Sequence, residues 1–186
     1  MKIKILKDEV VYDGHYLKTI IRSYRGRTGQ RKEWEMVKRK SFRKIVAIAP
    51  ITDHHEIIFT KTYRIPLKKY IIELCAGLTD KKGEFEIQTA KRELLEETGY
   101  KVSKIRRFIT GPYSSGLVDT QMTIYLGFGA KKASRPKLEE SEDITTIKIP
   151  LRKAYSYLTK PPKNTLVDIK IFSVLLAFGI LGYQVQ

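Results

Sequence analysis

The stretch "KRELLEETGYKV", residues 91–102, sets Glu93, Glu96 and Glu97 within five positions of a chain whose formal net charge is +16. Residues 84–98 contain no Gly or Pro and are dominated by helix formers, so a helix is expected there, with Gly99 as its stop. Phe85, Ala90, Leu94 and Leu95 fall roughly along one stripe of that helix. On a helix, positions i, i+3 and i+4 share a face, so the three glutamates project together. Like charges so placed cost about 0.2–0.5 kcal/mol per pair. A solvated acidic face paired with surface lysines is one explanation. The other is an oxygen-ligand site for a hard divalent cation such as Mg2+ or Mn2+, and the three glutamates alone do not choose between them.

Working outward, 186 residues suffice for one domain with a substantial core and are short for two. The composition, 42% hydrophobic and 30% charged, is that of a soluble globular protein. A single cysteine, Cys75, excludes an intramolecular disulfide and fits a reducing compartment. The start, "MKIKILKDEVVYDG", lacks the apolar core of a signal peptide, so a cytoplasmic location is expected. The longest apolar run, residues 171–183, is too short to span a bilayer, and a buried C-terminal helix is expected instead of a membrane anchor. Thirty-six Lys and Arg against twenty Asp and Glu attract anions without choosing between nucleic acid and a small nucleotide. Abundant Lys, Arg and Glu is also a thermophile trait.

The first half reads as strands: "KIKIL", "VVYDGHYLKTIIRSY", "KEWEMVKRK", "RKIVAIAPI", "EIIFTKTYRI" and "KYIIELCAG" are rich in β-branched and aromatic residues. "RGRTGQR", residues 25–31, is a hairpin connection. After the loop "LTDKKG" and the acidic helix, "VSKIRRFIT" and "DTQMTIYLGFGAKK" return to strand patterning. "ASRPKLEESED" is a polar loop, with mobility expected over residues 131–143. "TTIKIP" is a short strand, and "LRKAYSYLTK" and "TLVDIKIFSVLLAFGIL" are helices. His15, His54 and His55 have no ligand-like spacing to the acidic helix. No Walker loop, Ser-His-Asp arrangement or cysteine cluster competes with it.

The residues around the glutamates break the tie. "GLTDKKGEFEIQTAKRELLEETGY" resembles the Nudix box, G-x5-E-x7-R-E-U-x-E-E-x-G-U with U apolar. The match comprises Gly77, Glu84, Arg92, Glu93, Leu94, Glu96, Glu97, Gly99 and Tyr100. Six residues instead of five separate Gly77 from Glu84, and Tyr100 replaces an aliphatic residue. The resemblance implies an α+β Nudix fold, a mixed β-sheet sandwiched between helices, with an N-terminal antiparallel β-sheet region. A division at 1–42 and 43–186 is expected. It implies Glu93 and Glu97 as ligands of Mg2+ or Mn2+, Glu96 as a further ligand or close neighbour with a catalytic part, and the carbonyl of Ala76 facing a metal. Arg92 would orient a helix carboxylate by a bidentate pair.

"KEWEMVKR", "TKTYRIPLKKYIIELCAGL", "SSGLVDTQMTIYLGF" and "VDIKIFSVLLAF" look like segments of the ADP-ribose pyrophosphatase subfamily. That resemblance implies adenine stacking by Trp34 and substrate contacts from Arg39 and Arg64. It implies an acidic residue near the metals at Glu73, a substrate loop at Gly116, and a homodimer built through the N-terminal strands. Trp34 is equally well read as a structural aromatic, and Arg39 and Arg64 as solvated cations. Glu73 interrupts an apolar strand, where a buried carboxylate needs a metal or an Arg as partner. The general base would come from Glu139, Glu140, Glu142 or Asp143, with the following strand aligning on Glu142.

Two departures remain. Ser115-Gly116 stands where the subfamily has Pro-Gly, and Cys75 stands where it has proline. The subfamily resemblance makes ADP-ribose the leading substrate, and the replaced proline, a marker of substrate class, leaves UDP-glucose, GDP-mannose and RNA 5′ ends as rivals. Nucleic acid is not favoured, because the lysines and tyrosines are spread along the chain.

Overall fold

A computed structural model describes residues 2–40 and 44–180, and these fall into two compact units: residues 1–45 with 110–122, and residues 46–109 with 123–186. The boundary expected at 42/43 and the end of the apolar run, residues 181–183, lie outside the described residues.

In the first unit, β1 (Lys4–Asp13), β2 (Leu17–Arg25) and β3 (Arg31–Arg39) form an antiparallel sheet in that order. "VVYDGHYLKTIIRSY" is therefore not one strand. The chain reverses after Asp13, where the Gly14 amide donates to Leu17 O at 2.9 Å. A side chain at Gly14 would meet the exposed Tyr12 ring, which would have to swing aside. The second hairpin is the expected one, closed by Gly26 N to Gln30 O at 2.9 Å, with Gly29 at φ +89°. Ile20, Ser23 and Met36 are buried, whereas β1 is exposed along its whole length. Residues 110–122 fold back on β3, with Val37 N donating to Leu117 O at 2.8 Å.

The second unit is an eight-stranded mixed sheet. Its strands are β4 (Ile45–Ile51), β5 (Glu56–Arg64), β6 (Lys69–Glu73), β7 (Cys75–Leu78), β9 (Lys104–Pro112), β10 (Gln121–Phe128), β12 (Ile144–Pro150) and β13 (Thr165–Val167). The order is β13-β6-β5-β4-β10-β9, with β12 on β5 and β7 on β4. A separate ribbon pairs β8 (Tyr100–Lys101) with β11 (Lys131–Lys132). β4 is buried at every position, as a central strand covered on both faces must be. Val46 and Ile48 project to one side. There they pack with Cys75, Ala90, Leu94 and Tyr125, so this cluster mounts the acidic helix on the sheet.

The helices are α1 (Glu86–Glu93), α2 (Leu151–Leu158) and α3 (Lys170–Ile180). Two elements differ from expectation. "KYIIELCAG" breaks at Leu74 into β6 and β7, which serve different neighbours. Residues 165–167, expected to be helical, form β13, parallel to β6 with Thr165 opposite Tyr70. β13 completes the sheet edge, and pairing overrides local propensity there. Helix α3 starts only at Lys170, whose amide donates to Asp168 Oδ1 at 2.9 Å. Among the described residues no helix is long and apolar enough to cross a membrane.

Candidate active site

The acidic helix changes character where its carboxylates lie. Its start is fixed by Phe85 N donating to Gln88 Oε1 at 2.9 Å. After Glu93 the backbone widens into a π turn, Leu94–Thr98, ended by Gly99 at φ 71°. A π turn disturbs regular helical pairing and clusters at functional sites. Here it carries Glu96 and Glu97.

Arg92 is the electrostatic centre. Its Nε and Nη2 donate to the two oxygens of Glu84 at 2.9 and 3.0 Å, a bidentate fork. Nη1 reaches Glu93 Oε1 at 2.8 Å and Glu96 Oε2 at 2.9 Å, and Nη2 reaches Asp80 Oδ1 at 3.1 Å. The bidentate partner expected on the helix is thus Glu84, which precedes the helix, and the helix carboxylates each contribute one oxygen. Thr89 Oγ1 donates to Glu84 Oε2 at 2.9 Å and braces it. The Arg92 hydrogen bonds hold the Glu84 carboxyl below its ordinary range.

Glu93 and Glu97 are shifted the other way from Glu84. Burial pushes Glu93 up to about 7, with Arg92 opposing. Burial pushes Glu97 up to about 8, opposed by the Cys75 thiol and aided by the charges of Glu93 and Glu142. Glu97 is only 8% exposed, and its Oε2 has no hydrogen-bond partner. Gly77 leaves the room that Glu93 occupies: a Cβ there would lie 2.1 Å from Glu93 Cδ. Ala76 precedes it on β7.

A half-buried and a buried carboxyl, both pushed up by desolvation and the second with an orphaned oxygen, form a donor set suited to a hard divalent cation. Among the described residues no three His, Cys, Asp or Glu are gathered as a finished cage. Arg92 takes one oxygen from each of Glu93 and Glu96 instead.

Beside this group, Arg64 Nη2 lies 2.7 Å from Glu73 Oε1, an ion pair whose geometry leaves that oxygen without a well-formed hydrogen bond. Burial pushes Glu73 up, with Arg64 opposing it. The Arg partner expected for Glu73 is therefore Arg64. Glu142 turns inward on its own loop, its Oε2 accepting from Glu139 N at 2.8 Å.

In the first unit, Trp34 Nε1 donates to Gly116 O at 2.9 Å. Both residues line a pocket of ≈ 320 Å³ with Ile5, Tyr24 and Met36. Trp34 is 51% exposed, so its edge is fixed while part of the ring stays open. Arg39 ends β3 opposite Leu17 and does not line this pocket.

Sequence reasoning missed Asp80 as an Arg92 partner and the contact of Cys75 with Glu97. The position of Cys75, one residue from Ala76 on the strand facing the helix, was the available signal for the latter.

The Nudix domain family matches residues 41–171. The chain is 33% identical to the methanol dehydrogenase activator of Bacillus methanolicus over 156 residues, covering 83% of this chain and 82% of that one. It is 32% identical to the ADP-ribose pyrophosphatase of Bacillus subtilis over 158 residues, covering 81% and 80%. A crystal structure of an ADP compounds hydrolase shares the fold with a TM-score of 0.79 at 23% identity, over 96% of this chain and 92% of that chain. The chain belongs to the Nudix hydrolase family. Members of that family generally use a divalent metal.

Proposed function

We propose that this protein hydrolyses ADP-ribose, adding water across the diphosphate to give AMP and ribose 5-phosphate. The observation that carries the reading is the Glu93–Glu97 pair, a half-buried and a buried carboxyl raised toward neutrality beside a glycine that makes room for one of them. Similarity to a protein named ADP-ribose pyrophosphatase supports the choice of substrate.

Glu93, Glu96, Glu97 and the Ala76 carbonyl would hold Mg2+ or Mn2+. The cation would neutralise the diphosphate oxygens and make water more acidic. Arg92, fixed by Glu84, keeps Glu93 and Glu96 from drifting apart. Glu142 accepts the proton of the attacking water, which requires its carboxylate to leave the Glu139 amide. Arg64, tethered by Glu73, offers its guanidinium to a phosphate or ribose oxygen. Trp34 stacks on the adenine, with Gly116 fixing the edge of the indole, and Arg39 adds a cation for the phosphates.

The protein acts as a homodimer through residues 1–42, with residues 43–186 as the catalytic domain. Support comes from β1, which exposes Ile5, Val10, Val11 and Tyr12. A cytoplasmic location agrees with the single buried thiol.

The test is a panel of ADP-ribose, UDP-glucose, GDP-mannose, diadenosine polyphosphates and capped RNA with Mg2+, each with wild type and Glu97→Gln. ADP-ribose turned over fastest, and lost in the variant, is expected. Preference for UDP-glucose or GDP-mannose would replace the substrate, and preference for capped RNA the whole assignment. Unchanged activity in Glu97→Gln would remove the metal role.

A further inference from the structure

The acidic loop that bears Glu142 is tied down at both ends. At its start, Ala133 N and Ser134 N donate to Gly99 O at 2.8 and 3.1 Å, Lys132 Nζ to Thr98 O at 2.8 Å, and Lys137 N to Glu96 O at 2.7 Å. These acceptors are carbonyls at the end of the π turn, which the helix itself leaves without partners. The start of the loop is thus built onto the segment that carries Glu96 and Glu97. Nothing larger than glycine fits at position 99, because a Cβ there would lie 2.2 Å from Ser134 O.

The far end is held differently. Asp143, the residue after Glu142, gives its carbonyl to Tyr63 N at 3.1 Å, and its Oδ2 accepts from the Tyr70 hydroxyl at 2.6 Å. Tyr70, half-buried, has neighbours on both adjoining strands and on its ring. It stands opposite Tyr63 on β5 and opposite Thr165 on β13. Its ring meets that of Tyr63 edge-on at 5.3 Å, and Lys61 Nζ sits 4.7 Å from its centroid. These contacts hold the phenol toward Asp143 Oδ2. The residue next to that acceptor in the chain is Glu142.

We propose that Tyr70 is a positioning residue for catalysis: its hydroxyl latches Asp143 and so sets the distance between Glu142 and the helix carboxylates. The inference rests on Glu142 being the general base. A base must come within hydrogen-bond reach of the water it deprotonates, and small misplacements lower the rate strongly. With both ends of the loop pinned, only residues 138–142 are left to swing. The latch fixes the pivot of that swing without touching substrate.

The test uses the full chain with ADP-ribose and Mg2+. Tyr70→Phe removes one hydroxyl and keeps the ring. It should lower kcat about tenfold with KM within about twofold, and speed amide exchange at Tyr63, whose bond to Asp143 then loses its neighbour. Asp143→Asn keeps an acceptor and should retain most activity, whereas Asp143→Ala should match Tyr70→Phe. Tyr63→Phe keeps both ring and amide and should leave kcat unchanged. In a Glu142→Gln background, Tyr70→Phe should cost nothing further. If Glu142→Gln lowers kcat but Tyr70→Phe has no effect, or costs the same in both backgrounds, the latch is overturned and the base assignment stands. If Glu142→Gln leaves kcat unchanged, the base assignment falls and takes the catalytic role of Tyr70 with it. Unaltered exchange at Tyr63 in Tyr70→Phe overturns the latch without reference to any substrate.

Discussion

The carboxyl group of Glu93 occupies the space in which a side chain at Gly77 would have to grow, with 2.1 Å between an ideal Cβ and Glu93 Cδ. Because β7 and α1 are both fixed by the core cluster around Cys75 and Leu94, Glu93 would have to yield. Gly77→Ala should therefore weaken Mg2+ binding and lower kcat/KM about 10–100-fold, the range seen when a neighbour of a metal ligand is altered. Steady-state rates against Mg2+ concentration test this. An unaltered Mg2+ dependence would mean that Glu93 is not held by this contact.

The raised carboxyls fix how stability depends on pH. Glu93 at about 7 and Glu97 at about 8 hold protons that the unfolded chain releases near 4.5. Between pH 5 and 8 the native state thus binds more protons than the unfolded state, and stability falls as pH rises. Glu73 is shifted in the same direction. In EDTA, the midpoint temperature should drop by roughly 5 °C from pH 5.5 to 8.5. Added Mg2+ should stabilise more at pH 8.5 than at pH 5.5, because it needs the deprotonated forms. Glu97→Gln should flatten the metal-free profile and abolish most of the Mg2+ shift. Calorimetry across pH measures all three, and a profile that rises with pH would contradict the shifts.

Arg92 holds four carboxylates with one guanidinium that is 16% exposed. Removing it leaves Glu84, Glu93, Glu96 and Asp80 to repel one another. Arg92→Ala should cost about 2–4 kcal/mol in stability. Arg92→Lys should recover less than half of that, since a point charge cannot reproduce the fork on Glu84. Urea titration of both variants gives the comparison.

Trp34 is held by its edge to Gly116, which separates two roles of the ring. Trp34→Phe keeps an aromatic face but loses the hydrogen bond, whereas Trp34→Ala loses both. If adenine stacks there, Trp34→Ala should raise KM for ADP-ribose about tenfold, consistent with about 1–3 kcal/mol per stacked base. KM for UDP-glucose should rise less. Equal losses for both substrates would make Trp34 structural.

The helix and its clustered carboxylates were legible because they are local. Carboxylates at helical spacing, a Gly-free run and a closing Gly99 lie in one contiguous stretch. The departures arise where partners are distant. Residues 165–167 carry helix-compatible patterning, and only pairing with β6 makes them a strand. The π turn left no pattern in the sequence, and the bonds of Glu96 O and Gly99 O to residues 133–137 join positions too far apart to be read from it. The partner of Glu73 was foreseeable as a metal or an Arg, from the cost of burying a lone carboxylate. That this partner is Arg64 shows only in the folded chain, because strand pairing sets Arg64 opposite Lys69 and its side chain reaches along the sheet to Glu73. The binding of Asp143 by Tyr70 crosses 73 positions and leaves no pattern in either neighbourhood.

Strand β13 lies beside β6 in parallel, although nearly the whole catalytic unit separates them along the chain. During synthesis the amide and carbonyl groups on that side of β6 must therefore wait until residue 167 has emerged before they are covered. An open strand border of this kind invites pairing with other chains. Nascent molecules are thus most vulnerable to self-association late in translation, and a chaperone has most to protect in that interval.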